Sequence, residues 1–151
     1  MKVQDVLVSK GSAVVTVKPS DTIAVLSQLL RAKRIGAVVV SSDGQTIEGV
    51  ISERDIAYGL GIHAEGLHAL PVSDLMTRTV ITCSPTDTVA HVASTMLSRN
   101  VRHLPVEVSS RLVGMVSIRD ILKVRVDELQ QQTALLYGLV NQPNRAPQDR
   151  E

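Results

Sequence analysis

Apolar residues follow two different periods in the first part of the chain, and the same order of periods is then repeated. Val3 to Val8 has the spacing of one short amphipathic turn, ended by Lys10-Gly11-Ser12. Ala13-Val14-Val15-Thr16-Val17 is a run of β-formers and predicts a short strand. Pro19-Ser20-Asp21-Thr22 carries the proline and capping side chains that open a helix, and Ile23, Leu26, Leu29 and Leu30 supply its buried face. Arg31, Lys33 and Arg34 close that helix with charges that suit its dipole, which reads as a solvated end. Ile35-Gly36-Ala37-Val38-Val39-Val40 is apolar on both faces of a strand, so both must be covered. Ser41-Ser42-Asp43-Gly44 is turn chemistry, which makes this strand and Ile47 to Ile51 the arms of a hairpin. A helix from Glu53 to about Leu60 follows. Gly59, Gly61 and Gly66 then predict a flexible connector carrying His63 and His68.

From Pro71 the pattern restarts. Val72-Ser73-Asp74-Leu75-Met76 matches Val3-Gln4-Asp5-Val6-Leu7 at an offset of 69, and Thr82, Pro85, Asp87 and Thr88 match Thr16, Pro19, Asp21 and Thr22 at 66. Val89 to Ser98 repeats the first long helix, Val101 to Val106 repeats Ile35 to Val40, and after the hairpin the offset is 65. Length differences therefore fall in loops, as two copies of one folded unit require. The units are assigned to residues 1–65 and 66–125, leaving 126–151 for an extension of the last helix and a loose tail from Gln142. On that helix Ile118, Leu122, Val126, Leu129, Leu136 and Val140 lie roughly on one stripe, with Asp127, Glu128 and Gln130 to Gln132 off it. Such a surplus stripe packs on a neighbouring half or on a second chain.

The repeat is sharpest at Gly49-Val50-Ile51-Ser52-Glu53-Arg54-Asp55-Ile56 and Gly114-Met115-Val116-Ser117-Ile118-Arg119-Asp120-Ile121. Each reads as a buried strand running into the first turn of a helix. Ser-x-x-Asp there has two readings. It is a capping box, with hydroxyl and carboxylate satisfying backbone N–H groups. It is also the start of a nucleotide clamp, because a helix N-terminus suits phosphate and a carboxylate can accept from both hydroxyls of a ribose. Arg54 and Arg119 sit in the first helical turn, where a cation opposes the dipole. An anion arriving between arginine and helix end would account for both, although Glu53 partly compensates the first.

Composition narrows the classes. Apolar residues at 44 % and charged residues at 21 % suit a folded globular protein. A net charge of +1 provides no field for nucleic acid or anionic lipid, and with Tyr58 and Tyr137 as the only aromatics single strands find almost no stacking platform. The single Cys83 excludes an intrachain disulfide and reads as a small buried residue; no run of apolar residues is long enough for a membrane span, so a cytoplasmic protein is expected. His63, His68 and His91 have no metal-like spacing with Cys83 or each other, and Met76, Met96 and Met115 read as core filler. Nucleophile–base pair, Walker loop and dinucleotide glycine fingerprint are all missing, which argues against an enzyme.

A duplicated strand–helix–strand–strand–helix unit with these motifs resembles the CBS domain, named after cystathionine β-synthase, of which a tandem pair forms a Bateman module. Residues 1–123 carry the resemblance, through the paired Gly-h-h-Ser-x-x-Asp segments, Ile35 to Val40, Asp74-Leu75-Met76-Thr77 and Arg102-His103-Leu104-Pro105-Val106. The chain looks like the small stand-alone bacterial pairs. The resemblance implies an α/β (α+β) fold of two small sheets, each with helices on one face, related by a pseudo-twofold axis with two clefts between them. It implies a regulatory module that senses energy or redox state by binding AMP, ADP, ATP or NAD, with S-adenosylmethionine placed behind the nucleotides, and a homodimer acting on an unknown downstream protein. Carried over by position, Asp55 and Asp120 would hold ribose, with Ser52 and Ser117 near ribose or phosphate. Arg54, Arg102 and His103 would face phosphate, with Lys10 a further candidate. Thr16 and Thr82 would touch the nucleoside, and Ile35, Ala37, Val80 and Pro105 would wall the adenine. Arg102-His103 stands where the first unit has Gly36-Ala37, so two unequal sites are expected. Arg119 replaces a frequent glycine and either binds phosphate or obstructs its cleft. The competing reading is a structural or interaction dimer whose Ser-x-x-Asp motifs are only caps.

Overall fold

The computed structural model describes residues 1–141; the tail expected over Gln142 to Glu151 lies outside the described residues. The elements in order are α1 (Val3–Lys10), β1 (Thr16–Val17), α2 (Ile23–Lys33), β2 (Ala37–Val40), β3 (Gly49–Ser52), α3 (Glu53–His63), two 3-10 turns (Ala64–Ala69 and Val72–Asp74), α4 (Val89–Ser98), β4 (His103–Val108), β5 (Arg111–Ser117) and α5 (Ile118–Val140). The fold is mixed α/β, with one small sheet in each half.

Local signals set most boundaries. Thr22 and Thr88 cap α2 and α4, each hydroxyl accepting from the N–H three residues on, of Val25 at 3.3 Å and of His91 at 3.1 Å. Ile23, Leu26 and Leu30 on α2, and Val89, Val92 and Met96 on α4, bury the same face of equivalent helices. β2 is buried at every position and pairs antiparallel with β3, Ala37 opposite Ser52. β4 pairs antiparallel with β5 and puts His103 opposite Ser117. The serine that opens each motif helix thus faces Ala37 in one half and His103 in the other.

The opening strands are shorter than the sequence predicts. β1 has two residues, pairing parallel with Val39 and Val40. Its counterpart is a single parallel bridge, Cys83 to Val106, in which Cys83 N–H donates to Pro105 O at 3.0 Å and Glu107 N–H to Cys83 O at 2.9 Å. Pro105 on the partner strand and Pro85 two residues beyond Cys83 lack the N–H that would extend a ladder.

Gly59 and Gly61 lie inside α3 rather than in a connector, and the segment carrying His68 is a 3-10 turn. A Cβ at Gly59 would stand 2.3 Å from Leu75 Cδ2 and 3.0 Å from Leu67 Cδ1. The glycine lets the crossing segment lie against the helix, and that packing outweighs a helix penalty of about 1 kcal/mol.

Each core takes in a segment from the other repeat. Leu67 and Val72 pack with Val17, Ile23, Leu26, Val38 and Ile51 of the first half, whereas Val3, Val6 and Leu7 of α1 pack with Val89, Met96, Leu104, Val116 and Ile121 of the second. Backbone bonds fix the exchange: Val3 N–H donates to Asp87 O and Gln4 N–H to Pro85 O, both at 2.9 Å. The motif glycines mark where these segments cross. A Cβ on Gly49 would come within 2.7 Å of Met76 Sδ and 3.0 Å of Thr77 O, and one on Gly114 within 2.7 and 2.8 Å of the two methyls of Leu7.

Candidate functional site

The N-terminal turns of α3 and α5 end in two separate clefts. At α3 the Ser52 N–H and Oγ both donate to Asp55 Oδ2, at 2.8 and 3.1 Å. At α5 the Ser117 N–H and Oγ donate to Asp120 Oδ2 at 2.8 and 3.0 Å, and Asp120 N–H returns a 3.3 Å bond to Ser117 Oγ. Both motifs are therefore caps. Capping uses one oxygen of each carboxylate, and among the described residues no hydrogen bond engages Oδ1 of either. Cap and clamp are compatible readings, because Oδ1 keeps its acceptor capacity.

The clefts are unequal. The larger, about 1100 Å³, holds Ser117, Arg119 and Asp120 on one side and Ile35, Gly36 and Ala37 on the other. Lys10, Arg31, Arg34, Arg102, Arg119 and Lys123 line it against two carboxylates, Glu53 and Asp120, an excess of four positive charges. The smaller, about 270 Å³, holds Ser52, Arg54, Asp55 and Val80, with Arg54 and Arg102 balancing Glu53 and Asp55. Arg54 is anchored across the halves by donating to Asn100 O at 3.2 Å. Arg119 lines the larger cleft, which retains its volume with the arginine in place.

Five residues, Gly36, Ala37, Glu53, Arg102 and His103, line both clefts and form the wall between them. Arg102 and His103 thus border both clefts, not one. Glu53 N–H donates to Gly36 O at 2.9 Å, and a Cβ at Gly36 would stand 3.3 Å from Glu53 Oε1 and 3.4 Å from His103 Cε1. Burial holds the His103 imidazole below its ordinary 6.5, with the carboxylates of Glu53 and Asp120 pulling the other way. Burial pushes the Asp120 carboxyl up, but bonds from Lys10 and from the backbone and hydroxyl of Ser117 outweigh it and hold the group below its ordinary 3.8. Lys10 reaches from the end of α1, donating to Asp120 Oδ2 at 2.7 Å and to Met115 O at 2.8 Å.

Three sequence candidates line neither cleft. Thr82 Oγ1 donates to Glu107 Oε1 at 2.7 Å, and Thr16 and Pro105 sit in the strand pairing behind the clefts. Arg31, Arg34, Glu53 and Lys123 also line a cleft, although the sequence pattern gives them no site role. Arg34 carried a signal: it occupies a left-handed position (φ 54°), and its repeat partner at the offset of 66 is Asn100 (φ 52°), a residue that adopts this conformation readily. Cys83 is buried, and burial together with the nearby carboxylates of Asp87 and Glu107 pushes its thiol up to about 12, so it is not a thiolate nucleophile. Among the described residues no cluster of His, Cys, Asp and Glu could hold a metal ion, and no helix is long and apolar enough to cross a membrane.

The sequence pattern of the CBS domain matches residues 3–61 and again 72–127. The chain belongs to the CBS-domain family. The CBS domain-containing protein CBSX3, mitochondrial, of Arabidopsis thaliana is 29 % identical over 148 residues, 90 % of this chain and 72 % of that one. The crystal structure of the CBS-domain containing protein ATU1752 from Agrobacterium tumefaciens superposes with a TM-score of 0.79 at 37 % identity, over 82 % of this chain and 92 % of that one. The CBS domain pair of protein MJ0100, solved in complex with 5′-methylthioadenosine and S-adenosyl-L-methionine, superposes with a TM-score of 0.73 at 26 % identity, over 82 % and 98 %. This chain is thus a CBS pair, and within the family both adenosine compounds named for MJ0100 are ligands of such a pair.

Proposed function

We propose that this CBS pair is a non-catalytic regulatory module that binds an adenine nucleotide in its larger cleft. One observation carries the reading: a carboxylate with an uncommitted oxygen stands at a helix N-terminus among six cations in a cleft of about 1100 Å³. Asp120 Oδ1 would accept from ribose, and Lys10, Arg31, Arg34, Arg119 and Lys123 would meet phosphates. The excess of positive charge favours ADP, ATP or NAD over AMP, and disfavours the sulfonium cation of S-adenosylmethionine. Asp55 and Arg54 form a second, smaller subsite of the same plan. Ligand acts by binding one arrangement of the halves, or of a homodimer, better than another, and an unidentified protein responds to that shift. A cytoplasmic setting suits the single buried Cys83.

The test is a thermal-shift and calorimetric series with AMP, ADP, ATP, NAD, NADH and S-adenosylmethionine. A true ligand at 100 times its Kd adds about 2.7 kcal/mol of stability. Asp120→Ala is expected to abolish the gain while the fold persists. A flat response to every compound would sink the reading.

The capping geometry favours a second reading, an interaction scaffold with Asp55 and Asp120 purely structural. It predicts that Asp55→Ala and Asp120→Ala each cost about 0.5–2 kcal/mol and change nothing else.

A further inference from the structure

α5 outlasts the repeat that contains it. Ile118 and Ile121 join the second core, but from Leu129 onward every described residue of the helix is exposed. Six side chains, Leu122, Val126, Leu129, Thr133, Leu136 and Val140, follow one another at spacings of four, three, four, three and four. The strict alternation of four and three repeats every seven residues, the heptad of a left-handed coiled-coil seam. Leu122 is 56 % exposed, Leu129 62 %, Leu136 63 % and Val140 79 %, although the pattern marks all four for burial.

We infer that this seam is the contact with a second copy of the same chain, as a parallel, in-register, two-stranded coil. Residue identities support the partner and the orientation. In heptad terms every d position is Leu (122, 129, 136) and every a position is β-branched (Val126, Thr133, Val140), the distribution that favours two parallel strands. Thr133 does not leave a polar atom stranded in the seam, because its Oγ1 donates to Leu129 O at 2.8 Å. Asp127 and Glu128 occupy b and c, away from the contact. Along a parallel pair Arg125 would face the partner's Gln130 and Gln132 the partner's Tyr137, so no like charges meet where identical chains would otherwise repel. At roughly 100° per residue the seam lies about 100° around the helix from Ile121, which faces the core. A twofold axis along the seam therefore sends the two globular parts to opposite sides of the coil. Leu135 and Leu139 lie off this seam, on the flank that faces the core lower down.

This inference rests on the homodimer part of the proposal and is independent of what the clefts bind. Sedimentation velocity at micromolar concentration is expected to give a dimer, and Leu129→Glu with Leu136→Glu a monomer of unchanged far-UV circular dichroism outside the terminal turns. In a Cys83→Ala background, Leu129→Cys and Leu136→Cys are each expected to cross-link to themselves under mild oxidation, because a parallel register brings every seam residue to its own copy. A wild-type monomer would overturn both the coil and the homodimer. A dimer that survives the double glutamate would overturn the coil alone. Trimers or tetramers would overturn the two-stranded assignment, and self-cross-linking at only one of the two positions would overturn the parallel register.

Discussion

Lys10 Nζ lies 2.7 Å from Asp120 Oδ2, tying the last residue of the first helix to the first turn of the last one. Among the described residues Asp55, the repeat partner of Asp120, has no such cation. The pair also offsets the charge of the carboxylate proposed to hold ribose, so the two clefts differ in charge at their most similar residue.

Lys10→Met follows from that pair. Both side chains are partly exposed, so its stability cost at neutral pH is expected to be at most about 1 kcal/mol. The folded Asp120 titrates below its ordinary value, so its contribution is present above pH 3.8 and disappears as pH falls through the folded value. Wild type and variant should therefore differ at pH 6 and converge as pH falls from 3.8 through the lower folded value. Urea denaturation across that range reads the difference, and a constant gap would show that Lys10 acts by packing alone.

Gly114→Ala is expected to cost about 1–3 kcal/mol, because the added methyl meets both buried methyls of Leu7. Gly49→Ala should cost less. Its nearest obstacle is the flexible thioether of Met76, though the Thr77 carbonyl behind it cannot swing away. Paired denaturation curves check the order.

Arg34→Asn should separate stability from binding. Arginine in a left-handed conformation costs about 1–2 kcal/mol that asparagine largely avoids. The variant is therefore expected to melt at a higher temperature than wild type and to bind a nucleotide triphosphate more weakly, the loss shrinking as salt rises. Equal affinity would remove Arg34 from the phosphate site.

His103 is held below its ordinary value by burial, so the unfolded chain binds more protons than the folded one just below pH 6.5. Its penalty is absent above that pH and grows as pH falls. His103→Gln should flatten the slope of stability between pH 6.5 and 5. It should also alter both clefts together in calorimetry, since His103 lines each of them.

Much of this was legible in the chain itself. The 66- and 65-residue offsets, the threonine caps and the two Gly-h-h-Ser-x-x-Asp runs are local patterns, and each became an element or a cap where the spacing put it. The β4–β5 turn was not legible, because Ser109 and Ser110 adopt positive φ (49° and 62°) without the Asn or Gly that signals such a turn. Arg31 and Arg34 read as a solvated helix end, since a favourable helix dipole and a cleft wall look identical along one strand of sequence.

What the sequence determined by itself was the repeated unit, because periodicity and capping are short-range properties of neighbouring residues. Tertiary structure alone decided that α1 completes the second core, that the helix after Ser52 runs on through Gly61 to His63, and that one cleft gathers six cations while the other is balanced. Those outcomes depend on which surfaces exclude water together. Segments far apart in the chain meet there, and no local spacing records the meeting.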